Sequence, residues 1–70
     1  MPLLHEFYTN YTNDQRILNL MMTIVKQFNC SILEQENQLF CIMKVGVPKK
    51  REAEVLYSLK EIKGVEIKAL

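Results

Sequence analysis

The apolar residues of this chain change period four times, and that switching limits its fold more than any other feature. From Asp14 to Phe28 the spacing is helical: Ile17, Met21, Ile24 and Phe28 recur on one face, Leu18 and Val25 widen the stripe, and Asn19, Lys26 and Gln27 fall outside it. A second stripe of Val55, Leu56, Leu59 and Ile62 ends at Gly64, which is suited to a left-handed helix stop. Before, between and after these two stripes the period falls to two. "LLHEFYTN" sends Leu3, His5, Phe7 and Thr9 one way and Leu4, Glu6, Tyr8 and Asn10 the other. "VEIKA" alternates Val65, Ile67 and Ala69 with Glu66 and Lys68.

Local signals punctuate the pattern. Thr12 with Gln15 fits a capping box, Asn13 is an equally good N-cap, and Asp14 would sit in the first turn where its charge suits the helix dipole. Pro48 falls where a first-turn proline of the second helix belongs. The middle stretch "NCSILEQENQLFCIMKV" reads as a β-hairpin turning at Glu36-Asn37, which sets Glu34 opposite Leu39, Ile32 opposite Cys41 and Cys30 opposite Met43. Its core face is then Cys30, Ile32, Leu39, Cys41, Met43 and Val45. Its outer face is Ser31, Leu33, Gln35, Gln38, Phe40, Ile42 and Lys44.

The resulting order is strand, helix, strand, strand, helix, strand. Right-handed crossovers place both helices on one face of the sheet. The expected fold is therefore α+β: a ferredoxin-like βαββαβ two-layer sandwich with an antiparallel sheet in the order 4-1-3-2. Seventy residues make one such domain. Met1-Pro2 runs almost directly into strand-like residues and Leu70 stops inside a strand pattern, so the expectation is a domain excised from a longer protein. A net charge of +1 gives no general electrostatic footprint for nucleic acid. The longest apolar run, Leu20 to Val25, is broken by Thr23 and falls far short of the ~20 residues of a membrane span.

Two cysteines are too few for a secreted disulfide scaffold, so a reducing, cytoplasmic setting is expected. In the hairpin register above, Cys30 and Cys41 are diagonal neighbours at ~7–8 Å, beyond the ~5.5–6 Å of a relaxed disulfide. His5 is the only histidine and there is no Cys-x-x-Cys, so a four-ligand metal site is not built. Both thiols are expected to be reduced core residues that react slowly in the native state. No cofactor is expected.

Other groups invite a functional reading. Asn10, Asn13 and Asp14, in the loop after the first strand, could hydrogen-bond a small ligand, although capping the helix is a sufficient role. Lys49, Lys50 and Arg51 stand at a helix start that favours anions, or form a solvated turn. Glu34 and Glu36 could attract a divalent cation, or simply keep the hairpin soluble. His5 shows no serine, cysteine or carboxylate at catalytic spacing. Leu4, Tyr8, Leu33, Phe40 and Ile42 all point away from the helices, and nothing within a two-layer domain covers them.

The layout, the helix leading into "NCSILEQE" and the ending "LYSLKEIKGVEIKAL" resemble the ACT family of regulatory domains. Leu59, Ile62, Gly64 and Val65 match its closing pattern L–x–x–I–x–G–V–x–x–V, with Ile67 one residue ahead of the last position. At the start of the first helix, Asn13-Asp14-Gln15 stands where ACT domains carry a glycine. The stretch "FCIMKVGVPKKREAEVLYSLKEIKGVEIKAL" also resembles the cytosolic C-terminal domain of the MgtC/SapB family, membrane proteins associated with magnesium limitation. The resemblance implies a non-catalytic regulatory or protein-interaction domain on the cytoplasmic side of an inner or plasma membrane. Its partner would be its own membrane domain or another protein, or a second copy through the outer sheet face, with no nucleic acid and no direct membrane insertion. The alternative is an ACT domain that senses an amino acid or nucleotide for a metabolic enzyme or transcription regulator. A small acyl-phosphate hydrolase ranks last: Arg16 is placed for it, but no glycine-rich phosphate cradle precedes it.

Overall fold

The computed structural model describes residues 3–69; Met1, Pro2 and Leu70, on which the expectation of an excised domain partly rests, lie outside them. The elements follow in the order β1 (Leu4–Thr12), α1 (Gln15–Gln27), β2 (Ser31–Glu36), β3 (Phe40–Pro48), a 3-10 turn (Lys49–Arg51), α2 (Glu52–Lys60) and β4 (Glu66–Ala69). The sheet is antiparallel throughout, in the order β2-β3-β1-β4. This is the expected ferredoxin-like order read from the other edge. No helix among the described residues is long and apolar enough to cross a membrane.

The central pair is β1 with β3, matched without interruption from Leu4↔Pro48 to Thr12↔Phe40. Alternation fixes which residues go inward. Phe7, Thr9 and Tyr11 of β1 meet Cys41, Met43, Val45 and Val47 of β3 beneath the helices. Met21, Ile24, Val25 and Phe28 from α1, with Val55, Leu59 and Ile62 from the α2 region, close the other side. The helical stripes read from the sequence are thus the buried faces. Among the described residues Thr9 is the one buried polar residue of the core, and its hydroxyl donates to the Met43 carbonyl at 2.9 Å, which offsets the cost of its burial.

Three local expectations are corrected. β1 runs two residues further than "LLHEFYTN", because Tyr11 continues the inward alternation and is 3% exposed. The cap of α1 is therefore Asp14, whose carboxylate accepts from the Arg16 backbone N–H at 2.8 Å, and not Thr12 or Asn13. Pro48 is the last residue of β3 and precedes the 3-10 turn, so it does not open an α-helix.

The hairpin register is the largest correction. β2 ends at Glu36 and β3 begins at Phe40, leaving Asn37, Gln38 and Leu39 as the loop. Ile32 faces Val45 and Glu34 faces Lys44, with a bulge between them at Leu33. The β3 face assignment survives, but Leu39 leaves the core for solvent at 75% exposed, and Ile32 is exposed as well. The bulge also turns Gln35 to the inner side, opposite Met43.

The cysteines move with that register. Cys41 is buried opposite Tyr11, whereas Cys30 precedes β2 and is half-buried. Extending the pairing Ser31↔Gly46 by one places Cys30 level with Val47, six residues along β3 from Cys41. At ~3.3 Å per residue that is roughly 20 Å. The two thiols are free because they are far apart, and the diagonal adjacency expected from the hairpin does not exist.

The end of α1 carries a feature unmarked in the sequence reading. Asn29 adopts φ 55°, the Cys30 N–H donates to the Val25 carbonyl at 2.9 Å, and the Asn29 N–H to that of Lys26 at 3.4 Å. These are the two bonds of a Schellman stop, with asparagine where glycine is usual. Gly64, at φ 91°, supplies the corresponding left-handed residue before β4.

Two outcomes follow from this geometry. Asn29→Gly should leave the urea midpoint unchanged or slightly raised, while Asn29→Val should cost about 1–2 kcal/mol, because a β-branched residue resists positive φ. Equal effects of the two substitutions in a denaturation curve would remove the left-handed assignment. In native thiol labelling, Cys30 should react before Cys41, which should need global unfolding. Burial raises the Cys30 thiol pKa, so its thiolate is scarcer than that of a free cysteine near neutrality, and its rate should climb as pH rises past the ordinary thiol range. Both cysteines reacting at a free-thiol rate would overturn their burial.

Candidate functional site

The outer face of the sheet is built from the residues that alternation turns away from the helices. Its rows follow from the strand pairing. One row reads Glu34, Lys44, Tyr8, Lys68, and the next Glu36, Ile42, Asn10, Glu66. Leu4 and Leu33 lie at one end and Phe40 at the other. Tyr8 is half-buried on this face, while Leu33, Ile42 and above all Phe40, at 67%, are exposed.

The apolar residues do not form one continuous patch. Leu4 and Leu33 close over Gly46: a Cβ added there would lie 3.0 Å from Leu4 Cδ1 and 3.5 Å from Leu33 Cδ1. Glycine at this position lets the two leucines settle onto the strand. Between them and Phe40–Ile42 runs a polar bar. Lys44 Nζ meets Glu6 at 3.1 Å and lies 5.8 Å from the centre of the Tyr8 ring. The hydrogen bond to Glu6 holds the Lys44 ammonium above the usual lysine range, with the Glu6, Glu34 and Tyr8 fields adding to it.

On the Phe40 side of that bar the face is concave. Tyr8, Asn10, Glu34, Glu36, Ile42 and Lys68 line an open groove of about 360 Å³. Ile42 and Tyr8 provide its apolar contact, and carboxylates and an ammonium stand around it. Beneath, on the core side, the Tyr11 hydroxyl is fully buried without a hydrogen-bond partner among the described residues. Burial raises its pKa, the adjacent Cys41 adds to that, and the Gln35 amide opposes it.

The ligand trio expected in the first loop does not converge. Asn10 faces the outer groove, the Asn13 N–H donates to the Leu39 carbonyl at 3.1 Å, and Asp14 caps α1 beside a separate cleft between the helices. That cleft, about 570 Å³ and lined chiefly by Ile17, Leu20, Ile24 and Ile62 with Arg16, Glu61 and Lys63 around it, is open and mixed in charge. The basic cluster is divided as well. Arg51 pairs with Glu54 at 2.9 Å and its guanidinium lies 5.0 Å from the centre of the Phe28 ring, while Lys49 and Lys50 are exposed in the 3-10 turn. Among the described residues, no group of three His, Cys, Asp or Glu side chains is placed to hold a metal.

One contact was beyond sequence reasoning. His5 does have a carboxylate partner: its Nδ1 shares a hydrogen bond with Glu52 at the start of α2, and its ring lies 4.4 Å from that of Phe7. The two residues are 47 apart in sequence, and only the return of α2 over β1 brings them together.

No protein-family model matches this sequence, and no curated protein matches it. Solved structures match it by shape. A hypothetical protein of known crystal structure superposes on the whole chain with a TM-score of 0.82 and 19% identity. The chain spans about a third of that protein, 34% of its length. The ACT domain from GTP pyrophosphokinase of Chlorobium tepidum superposes at TM-score 0.68 and 13% identity, with full coverage of both chains. A chain from the chemotaxis kinase CheA P2 domain in complex with the response regulator CheY, from Thermotoga maritima, gives TM-score 0.66 and 15% identity over 96% of this chain and 99% of that one. At such identities the likeness establishes the fold: a ferredoxin-like βαββαβ sandwich of ACT-like form.

Proposed function

We propose that this chain is a non-catalytic regulatory domain of ACT type that works by receiving another protein on the open face of its sheet. The observation that carries the reading is Phe40, with Ile42 beside it. Both stand uncovered on a sheet whose opposite face already buries a full core. Large apolar side chains kept on adjacent outward positions favour a partner over plain solvent exposure. The shape shared with an ACT domain supports the regulatory class.

The finer assignment is to the soluble cytosolic tail of an MgtC-type membrane protein, with its own membrane domain as partner. Its support is the closing pattern Leu59, Ile62, Gly64 and Val65, together with Pro48 ahead of the second helix. On this reading the domain catalyses no reaction, and the His5–Glu52 bond serves to clamp α2 to β1.

A second reading, a sensor of an amino acid or nucleotide, draws on the groove around Ile42, where Asn10, Tyr8, both glutamates and Lys68 offer hydrogen bonds of either sign. A thermal-shift screen separates the two, since a ligand at 100 times its Kd stabilises the native state by ~2.7 kcal/mol.

The central test is Phe40→Glu. In crosslinking of this domain to its parent protein, the substitution should abolish association. The unfolding midpoint should stay within about 0.5 kcal/mol of the unmodified chain, as for an exposed position. Retained association would remove the face from the function, and unfolding of the variant would return Phe40 to the core.

A further inference from the structure

We infer that the occupant of the open sheet face is a basic, extended segment of a partner protein, and not a second copy of this chain. The inference rests on the reading of that face as an interface and adds the chemistry of what binds it.

The first argument is the division of charge between the two layers. The sheet's outer positions carry four carboxylates (Glu6, Glu34, Glu36, Glu66) against two ammonium groups (Lys44, Lys68), a net of −2. The helices and their flanking turns carry seven cations (Arg16, Lys26, Lys49, Lys50, Arg51, Lys60, Lys63) against Asp14, Glu52, Glu54 and Glu61, a net of +3. The two sum to the +1 of the chain. A nearly neutral protein is therefore polarised: Leu20 and Tyr57 are exposed on the basic helical layer, and Phe40 and Ile42 stand on the acidic one. Two such faces brought together would oppose like charge to like, which costs energy and suppresses self-pairing.

The second argument is the shape of the free surface. The polar bar of Glu6, Lys44 and Tyr8 takes up part of the face, which leaves the groove on the Phe40–Ile42 side as the contact area. An open groove fits a short segment laid into it better than a second flat sheet face.

The third argument is spacing. Glu34 and Glu36 flank the groove two residues apart on β2, and neither forms an ion pair among the described residues. Their separation along the strand is ~7 Å. Lysine or arginine at alternate positions of an extended segment has the same repeat. The aliphatic stems of those side chains would then lie over Ile42 and Tyr8, and the intervening side chains would point away from the sheet.

The experiment uses two capped heptapeptides, one alternating Lys with Val and one alternating Glu with Val, titrated into the labelled chain by NMR. The Lys/Val peptide should give saturable shifts at Ile42, Tyr8 and Glu34–Glu36, with an affinity that falls several-fold as salt is raised. The Glu/Val peptide should give none. The double substitution Glu34→Gln with Glu36→Gln should weaken binding several-fold without moving the unfolding midpoint, whereas Lys50→Gln should leave it unchanged. Absence of saturable shifts, equal response to both peptides, shifts on the helical side, or indifference to the glutamine pair would each overturn the inference. So would a dimer in sedimentation that Phe40→Glu dissolves, which would make a second copy the occupant. If Phe40→Glu abolishes association with the parent protein while the glutamine pair does not, the interface stands and only its basic partner falls.

Discussion

Everything in this domain hangs on the pairing of β1 with β3. The two strands are joined along nine consecutive positions, and they carry most of the sheet's buried side chains. β2 and β4 each attach to one of them from outside, and both helices cover the face they share. Breaking that ladder would leave β2 and β4 in separate fragments, each with a half-exposed apolar face. Thr9 illustrates how closely the pairing is specified: its hydroxyl is satisfied by the carbonyl of Met43, its own cross-strand partner, so a slipped register would bury it unpaired.

The same pairing creates the outer face. Once Cys41, Met43, Val45 and Val47 are committed inward, Phe40, Ile42, Lys44 and Gly46 must point outward, whatever their chemistry. The chain tempers that exposure in two ways. At one end Gly46 allows Leu4 and Leu33 to lie flat on the strand. In the middle Glu6 and Lys44 neutralise one another over Tyr8. At the other end neither device is present, and the Phe40 ring remains in solvent.

How much of this was legible depended on whether a residue's neighbours were apolar. The two helices and the inward faces of β1 and β3 could be read because burial imposes a period on them. Tyr11 was legible in principle, as the next member of the series His5, Phe7, Thr9, but the polar residues around it suggested a helix start instead. β2 resisted because all six of its residues are exposed, so no buried face fixes its register, and the bulge at Leu33 adds a residue that no periodicity announces. Within the site, exposure of Phe40 and Ile42 followed from alternation alone. The meeting of Glu34 and Lys68 on one row required knowing the order of all four strands, and the His5–Glu52 bond required the path of a helix 47 residues away.

The central ladder can also be seen as a hairpin whose turn has been replaced. Between Thr12 and Phe40, its innermost pair, lie 27 residues that include a complete helix and a strand. The Asn13–Leu39 backbone hydrogen bond carries the pairing one step past the strand ends. Closing a flexible loop of that length costs about 1.5 kcal/mol more than closing one of five residues, on the logarithmic scaling of loop entropy. That cost falls once α1 has formed and shortened the loop. The clean stop at Asn29 thus matters beyond the helix it ends: it keeps the long connection between the two central strands short and turns the chain back as β2 beside β3.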